Sequence, residues 1–185
     1  LAMLELVVNI NDTHGMFITP ITNNYFGFKW IPAAYKVIEN KVIITHFYND
    51  SLAIKNDIKV GDIITKVNGI SVIDYIQKNA KYINASNASV LLRNSNYCIF
   101  NGNSEEVNVE VERNGIISNK MYNRYNFKRF DYKPKEKEKW KIIENNIGYV
   151  NMGDLKFKDV DQMMEELKHT KSIIFDIRNY PNGTL

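Results

Sequence analysis

Side-chain chemistry is concentrated at a few places in this sequence. His14 stands in Asn11-Asp12-Thr13-His14-Gly15, just past a run whose spacing reads as the last turns of a helix. A neutral imidazole titrates near physiological pH, so it can take a proton from a nucleophile and return it to a leaving group. Read from the residues alone, a histidine at this place is a polar group near a helix end, where imidazolium interacts favourably with the terminal carbonyls. His46, inside a β-forming run, and His169, near a helix C-terminus, read as structural. Cys98 is the only cysteine, which excludes an intrachain disulfide. No serine sits in a Gly-x-Ser-x-Gly elbow. A second candidate is the loop Asn179-Tyr180-Pro181-Asn182-Gly183, where glycine lets the backbone approach a reacting group closely.

The elements that must position these residues follow from periodicity. Leu1, Leu4, Val7 and Val8 suit the end of an amphipathic helix, and Gly15 is expected to supply a left-handed cap. Residues 19–30, with Pro20 and Gly27, read as loop passing into strand. Lys41 to Phe47 is a strand. In Val60-Gly61-Asp62-Ile63-Ile64-Thr65-Lys66-Val67-Asn68-Gly69 a short apolar strand runs between two turns, and Asn-Gly favours a tight reversal. Residues 72–83 repeat at helical spacing, whereas 84–103 are polar and show no clear element. Val107, Val109 and Val111 alternate with polar residues, and Asn114-Gly115 turns that strand into a hairpin. A passage of alternating charge with Pro134 then reads as a solvated linker.

After that linker the character changes. Residues 147–152 form a strand, and Asp159 with Gln162 makes a capping-box pattern for a helix through Val160, Met163, Met164 and Leu167. Residues 171–178 are nearly continuously apolar, as expected of a strand covered on both faces. Strand, helix and strand with short connections make a βαβ unit. The 179–183 loop then lies at the carboxyl end of a parallel strand, where open α/β sheets place their chemistry.

Composition limits the function classes. A net charge of +3 is too small to argue for nucleic acid, and 44% hydrophobic with 24% charged residues is ordinary for a globular protein. No apolar run approaches the length of a membrane span, and none of the given residues reads as a secretory signal. The sequence begins without methionine inside a helical run, so it is treated as a piece of a longer protein.

Two motifs carry a family resemblance. The stretch VGDIITKVNGISV resembles the segment by which PDZ domains are recognised, with Gly61, Asp62, Asn68 and Gly69 as fold-holding positions. IGYVNMGDL, a helix, and then SIIFDIRNYPNGTL is similar to the start of the catalytic core in C-terminal processing (tail-specific) serine peptidases, which also carry a PDZ domain upstream. The Asp12-Thr13-His14 setting resembles the tricorn-like branch, in which a catalytic histidine precedes the PDZ module.

The resemblance implies a mixed α+β fold in four parts. These are an N-terminal helical segment and loop (1–24), a PDZ-like β-rich domain (25–126), a charged linker (127–141), and the first βαβ unit of a crotonase-like α/β peptidase core (142–185). It implies His14 as general base, Asn179 and Gly183 in an oxyanion-side loop, and Asp176 and Arg178 as supports of that loop. Gly27 and Phe28 would belong to a loop that binds a peptide carboxylate, and the aromatic cluster around them reads as core. The implied substrates are polypeptides, with no metal or organic cofactor, in an exported bacterial protein. The family's nucleophilic serine lies downstream of residue 185, and Asn182 stands where the family has glycine. Two rival readings are a non-catalytic PDZ-type peptide-binding module and a small-molecule carrier on the same core.

Overall fold

The structure, a computed structural model, describes residues 1–131 and 138–179, with Tyr97 described in its backbone only. The chain divides into two compact units, Leu1–Tyr132 and Lys133–Leu185. The first unit holds α1 (Ala2–Val8), α2 (Pro20–Phe26), β1 (Lys29–Trp30), β2 (Ala33–Ile38), β3 (Lys41–Phe47), α3 (Asp50–Lys55) and β4 (Ile63–Val67). It continues with β5 (Ile70–Ser71), α4 (Val72–Asn79), α5 (Ala88–Asn94), β6 (Glu106–Arg113), β7 (Ile116–Asn123) and β8 (Tyr125–Asn126). The second unit holds β9 (Trp140–Ile143), β10 (Ile147–Asn151), α6 (Val160–Leu167) and β11 (Ser172–Asp176).

In the first unit an antiparallel sheet runs in the order β2-β3-β4-β6-β7, with β5 attached to β4 and β1 paired separately with β8. The alternation in β6 sends Val107, Val109 and Val111 into the core opposite Tyr122, Lys120 and Ser118 of β7. Val42, Ile44, Ile64 and Val67 complete the sheet's buried face, closed by Val72 and Ile76 of α4. Asn68-Gly69 and Asn114-Gly115 have positive φ at both positions, the geometry of the two-residue turns that match strand twist. Glu39 and Asn40 take the same conformation between β2 and β3, a turn that carries no glycine to announce it.

Three local expectations are corrected. Residues 20–26 are helical because Thr19 caps the helix reciprocally with Thr22 and Pro20 occupies its first turn. Gly15 does not supply the left-handed residue after α1; Asn11 does, at φ 57°. The polar stretch 84–103 contains α5, capped by the Asn87 side chain on the Val90 N–H, and then buries Cys98, Ile99 and Phe100.

The second unit is a three-stranded sheet, β11-β10-β9, with β10 and β11 parallel and joined through α6. The βαβ order is as expected, and Met163 and Leu167 of α6 pack with Val150 and Leu155. The capping box is not the expected one. Asp159 turns its carboxylate back to the Lys156 N–H at 3.0 Å and to Lys139 Nζ at 2.7 Å, and Met164 is left exposed. Ile174 and Phe175 of β11 are about half exposed, so the described residues do not cover both faces of that strand. Trp140 and Lys141, inside the expected linker, already belong to β9, and the run Lys135-Glu136-Lys137 lies outside the described residues.

Candidate active site

His14 hangs on a short turn built by its neighbour. The Asp12 carboxylate accepts the His14 backbone N–H at 2.9 Å, and Nδ1 of the ring lies 3.4 Å from the same oxygen. A side chain accepting from the backbone two residues on is the usual Asx device for fixing a loop. That backbone hydrogen bond, then the ring itself, holds the Asp12 carboxyl below its ordinary range. Thr13 donates to Ser86 Oγ at 3.1 Å, tying the loop to the segment ahead of α5. The His14 side chain is 97% exposed, and among the described residues no hydroxyl bonds its ring. With Nδ1 turned toward Asp12, Nε2 is the nitrogen left to meet a substrate or nucleophile. A carboxylate behind an imidazole fixes its tautomer and orientation.

Gly27 and Phe28, the residues expected to bind a peptide carboxylate, join α2 to β1. The Gly27 N–H closes α2 on the Asn23 carbonyl at 2.8 Å. Lys29 and Gly102 exchange both backbone hydrogen bonds, at 3.1 and 3.2 Å. Gly27, at φ 94°, is glycine because a Cβ there would fall 2.3 Å from the Gly102 backbone. The amides at 27 and 29 are thus engaged within the fold, and Phe28 is partly exposed.

Gly61, Asp62, Asn68 and Gly69 hold the turns on either side of β4. Asp62 is 1% exposed and accepts the Lys59 N–H at 2.9 Å and Arg113 Nε and Nη2 at 2.6 and 2.8 Å. The Asn68 side chain accepts the Asn108 N–H at 3.2 Å. Asp62 and Asn68 thus fasten the turns around β4 to β6, and the Gly61 N–H donates to the Ile44 carbonyl of β3 at 2.9 Å.

In the second unit the loops after β10 and β11 lie side by side. Asp176 accepts the Arg178 N–H at 3.0 Å, its Nε at 2.9 Å and Nη2 at 2.6 Å, and the Tyr149 hydroxyl at 2.5 Å. The Arg178 guanidinium, with Tyr149, holds the Asp176 carboxyl well below the usual carboxylate range, and Asp176 raises Arg178 in return. Asn179 follows, its Nδ2 at 3.5 Å from Asn151 Oδ1. Asn151 is buried, accepts the Gly153 N–H at 3.2 Å and donates to Asp154 at 2.5 Å. A Cβ on Gly153 would fall 2.5 Å from that of Asn179. Tyr149, Asn151 and Gly153 were not singled out in the sequence; the only local signal is a glycine two residues past a strand end. Asn182 and Gly183 lie outside the described residues.

His14 and Asp12 therefore belong to the first unit, and Asp176, Arg178 and Asn179 to the second. His46 is exposed, its ring against the edge of Tyr48, and the His169 carbonyl accepts the Asn146 side chain. Among the described residues no group of three or more His, Cys, Asp or Glu side chains could hold a metal ion, and no helix is long and apolar enough to cross a membrane.

No protein-family model and no curated protein matches the sequence. Solved structures do match at the level of fold. Mature CPAF complexed with lactacystin is similar at a TM-score of 0.55 and 11% identity, over 94% of this chain and 44% of that one. A mutant of CPAF is similar at 0.57 and 11% identity, over 85% of this chain and 42% of that one. The chain has the fold of the corresponding part of those structures and spans less than half of their length.

Proposed function

We propose that this chain is part of a serine peptidase of the tail-specific, tricorn-like kind, hydrolysing peptide bonds in polypeptide substrates. The observation that carries the reading is the Asp12–His14 pair, a base with its orienting carboxylate held by one turn. In the proposed mechanism His14 Nε2 takes the proton of a serine hydroxyl, which is a poor nucleophile without such a base. Asp12 keeps the ring oriented and stabilises the imidazolium that forms. The same nitrogen then gives the proton to the leaving amine. In this reading the loop that begins at Asn179 is assigned the oxyanion side, where backbone N–H donors are needed, and Asp176 with Arg178 holds the chain where that loop begins. The serine is assigned to sequence beyond residue 185, so the chain alone is expected to be inactive. The protein is expected to be exported.

The test is covalent labelling of the full-length gene product with a fluorophosphonate, read by intact mass, beside His14→Ala and Asp12→Asn versions. Labelling that is lost in His14→Ala and slowed in Asp12→Asn supports the assignment. Labelling that survives in His14→Ala moves the base elsewhere. No labelling and no peptide hydrolysis by folded protein would overturn the peptidase reading in favour of a binding module.

A further inference from the structure

β7 ends the sheet of the first unit and is paired with β6 on one side. The two-residue turn at Asn114-Gly115 makes Arg113 and Ile116 a hydrogen-bonded pair. The alternation of an antiparallel ladder then turns the main-chain groups of Ser118, Lys120 and Tyr122 toward β6. Those of Ile117, Asn119, Met121 and Asn123 point away from it. Two contacts agree with that phase. The Arg124 N–H bonds the Glu105 carbonyl just ahead of β6, and the Asn123 N–H is taken from the open side by Asn56 Oδ1 at 2.6 Å. Among the described residues nothing bonds the outward main-chain groups of Ile117, Asn119 and Met121.

An open edge is a template for another strand, and folded proteins blunt it with proline, bulges or charge. β7 has no proline, and its register with β6 is unbroken. Its one charged side chain, Lys120, lies on the core face, where the Asp57 carboxylate holds it. The opposite face carries Ile117 and Met121, 61% and 52% exposed, on either side of Asn119.

This edge is self-complementary. When a second β7 runs antiparallel with Asn119 opposite Asn119, Ile117 falls opposite Met121 twice. All three pairs are then of the kind that exchanges two N–H···O bonds, so every open group is used. Centring the pairing on Ile117 instead carries Met121 past the turn to Arg113. Centring it on Met121 sets Asn119 against Asn123, whose N–H already belongs to Asn56. In the Asn119 register apolar side chains meet across the axis, and Lys120 falls opposite Ser118, so no like charges are directly opposed.

We infer that β7 is a homodimerisation edge, occupied by β7 of a second copy of this chain and paired antiparallel about Asn119. The contact is isologous, so it closes into a dimer and does not propagate into a fibre. One strand pair is smaller than a standard protein interface, which places the association in the weak, concentration-dependent class. It is independent of the chemistry proposed at His14.

The test is sedimentation of the full-length gene product over a concentration series, beside Asn119→Lys, together with a cysteine map of the register. Asn119→Lys sets two like charges face to face on the axis and leaves the β6–β7 ladder intact. It should raise the dimer dissociation constant about fivefold or more. Residues facing one another in a hydrogen-bonded pair lie about 5.5 Å apart at Cα, within disulfide reach. Asn119→Cys should therefore cross-link to itself under mild oxidation. Ile117→Cys and Met121→Cys should cross-link with each other in a mixture and neither with itself, the unaltered protein serving as the blank for Cys98. A parent that stays monomeric to its solubility limit would overturn the assignment, as would a dimer equally tight in Asn119→Lys. Self-linking of Ile117→Cys in place of Asn119→Cys would refute the register, a result that holds even where the lysine variant fails to fold.

Discussion

Replacing Arg113 by methionine isolates what holds the Gly61-Asp62 turn. The Asp62 carboxylate is 1% exposed and meets Arg113 through two parallel contacts, Nε at 2.6 Å and Nη2 at 2.8 Å. Methionine keeps much of the stem but removes the charge, so Asp62 is left buried with the Lys59 N–H as its remaining donor. Removing one partner of a buried ion pair costs about 3–5 kcal/mol, because the other charge stays desolvated. The second arm of Arg113, to Asp57, adds little. That carboxylate is 60% exposed and keeps Lys120, and exposed pairs contribute about 0–1 kcal/mol. Since Arg113 is itself 22% exposed, the lower end of the range applies, about 3 kcal/mol. The assay is urea unfolding by tryptophan fluorescence in a Trp140→Phe background, which leaves Trp30 as the reporter of the first unit. Arg113→Met should lower the midpoint with little change in slope. Adding Asp62→Leu should recover part of the loss, since no lone charge then remains buried. A loss below about 1 kcal/mol for Arg113→Met would place the pair among ordinary surface bridges and refute the argument.

Two further perturbations test other parts of the first unit. Burial pushes the Cys98 thiol up to about 12. The unfolded chain therefore loses this proton first as pH rises, and the first unit should lose up to about 1.4 kcal/mol per pH unit above the ordinary thiol range. Cys98→Ala should flatten that slope between about pH 9 and 10, before the tyrosines add to it; an identical slope in both proteins would mean that the thiol is not buried. At the glycines, Gly27→Ala combines a positive φ with a Cβ 2.3 Å from the Gly102 backbone, whereas Gly61→Ala has the positive φ and open space. Chemical denaturation should show a cost of about 1 kcal/mol at Gly61 and clearly more at Gly27, and equal costs would remove the close approach as the reason for glycine at 27.

The legible parts of the fold are those in which a local rule and the tertiary outcome agree. Val107, Val109 and Val111 alternate because one face of β6 is buried, and Asn114-Gly115 turns because both residues tolerate positive φ. Where two local rules competed, composition misled. Pro20 and the asparagines after it suggest loop, yet Thr19 and Thr22 cap one another and proline suits a first turn, so a helix forms. In residues 84–103 the asparagines that hide the pattern supply the cap on Val90 and the bond from Asn94 to the Asn84 carbonyl, while Cys98, Ile99 and Phe100 pass into the core. The local pairings at the candidate site were legible for a similar reason. Asp12 and His14 are two residues apart, as are Asp176 and Arg178, so each pair is joined by a local hydrogen bond.

Groups joined across long sequence separations left no such signal. Asn151 and Asn179 meet only because β10 and β11 are parallel and in register, which carries Asn151 beside Asp176. Gly153 gives no hint of its neighbour until that register is known. A cavity within the first unit is assembled from α1, the loop after it, α2, and the two ends of a segment from Ile83 to Asn101, none of which shows a period pointing to a shared pocket. Its lining carries no charged side chain among the described residues. A missing charge cannot be read from sequence, because each of the segments carries or adjoins charged residues directed elsewhere. Glu5 on α1 reaches out to Lys81, and Lys29 beside Trp30 pairs with Glu105. The charges of these segments are thus paired on the outside of the first unit while the lining of the cavity carries none, a division set by packing and not by any one segment.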